Sequence, residues 1–174
     1  MIISSGRKNM NDVRKFMNLN MVLCQEYDSK TKSIYNIFNR IELDDNNRAS
    51  FSLVSFLNIF TDNKEQVCVS RNFSLHYFLV KMDKQMKERK QLYLGCSYLE
   101  LGDKDDVDAL GEKMTNLKFN NIPFIGAGVY YIEAFYYDKY VSVKDRNKRR
   151  EASKKIRSDG SLVSIASFSV DESA

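Results

Sequence analysis

A chain of 174 residues, 43% hydrophobic and 29% charged, can bury about 70% of the surface that its unfolded form exposes, so one domain without disulfide or metal staples is expected. No apolar run approaches the ~18 residues of a membrane span. In Met1-Ile-Ile-Ser-Ser-Gly6 the basic residues follow the short apolar stretch, the reverse of a signal peptide, so a cytoplasmic protein with no membrane contact is expected.

The net charge of +4 is unevenly spread: Lys139 to Arg157 carries nine basic and two acidic residues, a net +7 that leaves −3 for the rest. A mildly acidic body therefore bears one basic segment. Cys24, Cys68 and Cys96 are odd in number, form no C-x-x-C pair and sit in apolar stretches. They read as buried, reduced thiols.

Residues 1–17 read as an N-terminal tail of weak periodicity, in which Asn11 could cap a short helix through Phe16. The domain proper is expected over 18–174. Asn20–Tyr27 and Ile34–Ile41 form a predicted hairpin around the polar turn Asp28–Lys32. Asp44–Arg48 is a second turn cluster, since short polar side chains bond their own backbone.

Phe51–Phe60 fits both helical and strand spacing; its aromatic and β-branched content favours a strand. Gln66–Phe73 reads as a strand that continues or restarts over Leu75–Val80. Met82–Lys90 reads as a short amphipathic helix and Gln91–Leu99 as another strand. Gly102–Asp108 is an acidic loop that caps a short helix through Met114, and Asn116–Asn121 is a weak strand.

After the sole proline, Pro123, glycines 126 and 128 launch a strand through Tyr137. Tyr130, Ile132, Ala134 and Tyr136 are its expected core face; Val129, Tyr131, Glu133, Phe135 and Tyr137 face the other way. Asp159–Val170 is its predicted hairpin partner. Short strands between polar turns point to a mainly β, antiparallel β-sandwich of about seven to nine strands with one or two short helices.

Val22-Leu-Cys24 with the hairpin to Ile37–Ile41, then Phe51-Ser-Leu-Val54, then Gly128–Phe135 with the closing Asp159-Gly160 and the strand to Val170 resemble a domain family of unknown function: small β-sandwich proteins of bacteria and their phages. The resemblance spans residues 20–60 and 122–170 and implies the sandwich. The family carries no assigned activity, so it implies no chemistry. Its strand after the Gly-x-Tyr turn returns through a short loop. Here the basic run intervenes, and residues 139–158 are read as an insertion at a hairpin tip.

His76, the only histidine, has no sequence partner for a triad and lies in an apolar run, so a structural role is expected. Asp103, Asp105, Asp106, Asp108 and Glu112 could offer oxygens to a cation, but Asp108 stands where an EF-hand needs glycine, and a solvated loop is the plainer reading. There is no P-loop, and Gly126-Ala-Gly128 lacks the helix that would aim amides at a phosphate. No catalytic residue, metal or cofactor is expected.

The basic segment stands apart. Lys144, Arg146, Lys148, Arg149, Arg150, Lys154, Lys155 and Arg157 are the expected partner-binding residues. Arginines pair with carboxylates on an acidic protein, the leading partner; the same cations suit phosphates, and nucleic acid is the alternative. A solvated loop is the bland reading. The expectation is a non-enzymatic interaction protein, of the kind a phage or mobile element uses as an accessory or to modulate host defence. Self-assembly through exposed sheet edges is a further alternative.

Overall fold

The computed structural model describes residues 13–59, 72–82, 91–100, 112–139, 141 and 146–171. The elements run α1 (Val13–Phe16), β1 (Met17–Asp28), β2 (Ser33–Ile37), β3 (Arg40–Glu42), β4 (Arg48–Ile59), β5 (Asn72–Lys81), β6 (Gln91–Glu100), β7 (Glu112–Pro123), β8 (Gly128–Tyr137), α2 (Arg146–Asp159) and β9 (Ser161–Asp171). One sheet has the order β2-β1-β4-β7, the other β3-β9-β8-β5-β6. The fold is the expected mainly β sandwich.

Strand alternation decides what enters the space between the sheets. Leu19 and Leu23 of β1 and Phe51, Leu53 and Leu57 of β4 meet Leu75 and Tyr77 of β5 and Tyr130, Ile132, Ala134 and Tyr136 of β8 in one core. The core face expected for β8 is the one observed. The stretch from Phe51 resolves as a strand through Ile59 because β4 is central, ladder-bonded to β1 and β7 on either side. The turns follow the sequence too: Asp28 accepts from Lys30 N and Thr31 Oγ1, both at 2.8 Å, and Asp44 Oδ1 accepts from Asn46 N and Arg48 N.

Two departures concern the first half. The strand expected over Ile34–Ile41 breaks at Phe38-Asn39. β2 stays beside β1, but β3 crosses to the other sheet and runs parallel to β9, Arg40 opposite Ser169. Within β2, just before the break, Asn36 has φ 52°, a left-handed conformation that asparagine tolerates. The sandwich is therefore antiparallel apart from this pair. The boundary of the tail also moves: Val13 and Met17 are buried in the core, so the chain engages the sandwich from α1 onward.

The larger departure lies between β8 and β9. These strands pair as predicted, from Gly128 opposite Val170 to Tyr136 opposite Ser161. The segment joining them forms α2, which lies on the outer face of the second sheet. The molecule is thus layered sheet, sheet, helix. Most of the strand expected over Gln66–Phe73, of the helix over Met82–Lys90 and of the acidic loop Gly102–Asp108 lies outside the described residues; the helix expected to run on through Met114 does not hold at 112–114, where β7 has already begun and pairs with β4.

Candidate interaction surface

Helix α2 reads RNKRREASKKIRSD, with Ala152 and Ile156 its only apolar side chains. Spaced i, i+4, they share one side of the helix. Both are buried, Ile156 completely, against Phe78 and Val80 of β5 and Phe135 and Tyr137 of β8. Burial of a side chain the size of Ile156 stabilises by about 2 kcal/mol. The helix stops at Gly160, whose N–H bonds Ile156 O at 2.7 Å. A Cβ there would collide with the carbonyl oxygen of Ile156, 2.4 Å away, and crowd that of Tyr136.

Arg157 locks the same side. Its Nη2 donates to Glu133 Oε2 at 2.7 Å, with Glu133 fully buried. Its guanidinium lies 4.6 Å from the centroid of Phe78 and 5.2 Å from that of Phe135. Expected as a partner-binding residue, Arg157 instead faces inward: a buried carboxylate requires a cation, and two aromatic faces favour that cation being a guanidinium.

A second polar group lies beneath the start of the connection. Ser74 Oγ donates to Lys139 O (3.0 Å) and accepts from His76 Nε2 (2.8 Å), which leaves His76 Nδ1 to accept from Tyr93 O–H (2.9 Å). Burial pushes the imidazole pKa down to about 4, so His76 is neutral near pH 7. Burial, reinforced by Cys96, holds the Tyr93 phenol well above its ordinary value, as suits a donor. Tyr98 Oη donates to Val141 O at 2.8 Å. His76 is thus fully buried with both ring nitrogens hydrogen-bonded, and the network pins the segment leading into α2. Cys24 is buried and Cys96 partly so, both as free thiols; burial raises the Cys24 pKa.

Away from that stripe α2 carries charge: Lys148, Arg150, Lys154 and Lys155 are exposed, with Glu151 among them. Arg149, also exposed, stands in line with Ala152 and Ile156 and near enough to Tyr93 to offset part of the rise that burial imposes on its phenol pKa. Arg146 opens the helix, and Lys144 lies outside the described residues. The first turn contains no acidic residue. Cations there add to the positive end of the helix dipole, an arrangement unfavourable for the helix and favourable for an approaching anion. The structure thus brings four of the eight expected residues, Lys148, Arg150, Lys154 and Lys155, onto the outward surface of the helix and turns Arg157 inward.

Other candidates have less to offer. A cleft of about 660 Å³ is lined by Gln25, Arg40, Asp44, Arg48 and Asn121 among others. Its cations are engaged: Arg48 donates to Asn121 O at 2.8 Å and Arg40 pairs with Asp171. Among the described residues no three metal-ligating side chains converge, and no helix is long and apolar enough to cross a membrane.

No protein-family model and no curated protein matches the chain. Among solved structures it is similar to a β-glucosidase from Listeria innocua in complex with isofagomine (9% identity, TM-score 0.41, 89% of this chain and 16% of that one). It is also similar to the GH3 β-glucosidase of Bifidobacterium adolescentis (10%, 0.39, 89% and 17%). A further likeness is to Spo0M, a sporulation control protein from Bacillus subtilis (7%, 0.35, 91% and 50%). The chain spans about a sixth of the glucosidases and half of Spo0M. Scores this low carry no argument about activity.

Proposed function

We propose that this chain is a non-enzymatic interaction domain whose sandwich holds α2 in place and whose helix offers its basic face to an acidic protein. One observation carries the reading. Lys148, Arg150, Lys154 and Lys155 are exposed on a helix that is anchored to the sheet by Ala152 and Ile156 and, at the end of the Arg150–Lys154 flank, by Arg157. Anchoring reduces the ordering cost that a mobile basic loop would incur on binding. The remainder of the chain is net acidic, which disfavours a phosphate backbone running beyond the helix; a protein can confine its carboxylates to the contact with the helix. An accessory role in a phage or mobile element belongs to the same reading.

Affinity capture from the native host tests it, with the intact chain compared against a variant carrying alanine at Lys148, Arg150, Lys154 and Lys155. The expected outcome is a small set of acidic proteins lost from the variant's capture while its thermal unfolding is unchanged. An identical capture set from both proteins would sink the reading.

A further inference from the structure

The basic face leads into an apolar ledge. Arg150, Lys154 and Arg157 stand at i, i+4 and i+7 of α2, along one flank. The last of them bonds Glu133, and directly across the ladder from Glu133, on the same outer face, stands Ile165 of β9. Ile165 is 54% exposed. Diagonal to it on β8 is Tyr131, whose hydroxyl meets Met82 Sδ at 3.3 Å. Met82 N bonds Val129 O at 2.9 Å, and Met82 and Val129 are each 45% exposed. Scattered exposed apolar side chains are ordinary. These are linked in a row that begins where the helix's cationic flank ends.

We infer that the partner's docking segment is an acidic polypeptide that also carries apolar side chains: carboxylates on Arg150 and Lys154, apolar groups on Ile165, Met82 and Val129. The inference rests on the function proposed above and narrows its partner. Charge complementarity fixes the acidic half. The ledge fixes the other half, because carboxylates alone would leave it uncovered, whereas apolar side chains laid on it remove that surface from water. Such a surface takes its specificity from the apolar contacts and its encounter rate from the charges.

Two labelled synthetic peptides test this. Both are mostly glutamate; one carries leucines at helical spacing, and the other has serine at those positions. The native chain is expected to bind the leucine peptide about tenfold more tightly, the worth of one well-buried aliphatic side chain. A variant combining Ile165→Thr, Val129→Thr and Met82→Gln keeps strand-compatible residues in β9 and β8. It is expected to lose that advantage and to bind the serine peptide as before. Arg150→Glu with Lys154→Glu is expected to weaken both. Equal binding of the two peptides by the native chain overturns the ledge while leaving the acidic-partner reading standing. Failure to bind either peptide overturns both, and retention of a short DNA duplex by the same protein would then assign the cations to nucleic acid.

Discussion

Arg157 separates the structural from the functional use of one basic segment. Its neighbours Lys154 and Lys155 are exposed, whereas its own guanidinium neutralises Glu133 between two aromatic rings. Removing one member of a buried ion pair leaves a charge without its counterion. Arg157→Ala is therefore expected to cost about 3 kcal/mol in urea denaturation. Adding Glu133→Gln should recover much of that loss, since the orphaned charge goes with it. Independent, additive losses from the two substitutions would show the pair to be uncoupled. Lys154→Ala, by contrast, should leave stability within about 0.5 kcal/mol, as exposed substitutions usually do.

At the level of elements, α2 depends on its stop as much as on its apolar stripe. Gly160→Ala would press a methyl group into the carbonyl oxygens of Ile156 and Tyr136, both backbone and unable to swing aside. The expected effect is a loss of about 2 kcal/mol with the end of the helix displaced, read by thermal unfolding and by amide exchange at Ile156. Unchanged protection there would contradict it. The strands were largely legible, because alternation, turn clusters and glycines speak through local chemistry. The helix was not. Its buried stripe is only Ala152 and Ile156, and the third anchor is an arginine, which composition counts as surface. A signal did exist on the other side of the contact. Leu75–Val80 and Ala134–Tyr137 are apolar or aromatic at nearly every position, and a strand buried on both faces implies a covering layer. The split of Ile34–Ile41 between two sheets had no such signal, since nothing local tells β3 that its partner lies some 130 residues away.

For the molecule as a whole, buried His76 makes stability depend on pH. Its imidazole titrates at about 4 when folded, against 6.5 when free. The unfolded chain therefore binds a proton first, and stability present above pH 6.5 drains away as pH falls toward 4, by roughly 3 kcal/mol in total. Chemical denaturation across that window should show the slope, and a His76→Gln protein should show it flattened. A native chain equally stable at pH 6.5 and 4.5 would exclude a buried neutral imidazole. The Asp28 carboxylate, held below 3.8 chiefly by the Thr31 hydroxyl, adds its own loss only at lower pH.

The crossing of β3 has a consequence for how the chain is made. β9, the last strand, sits inside its sheet between β3 and β8. Until the ribosome has delivered it, the early segment after β2 has no ladder to join and β8 carries a bare edge. Completion of this sheet is thus postponed until β9 has been made, and unpaired edges of this kind are where nascent chains misassociate. Of the early strands it is β3 that waits, for a partner made some 130 residues after it.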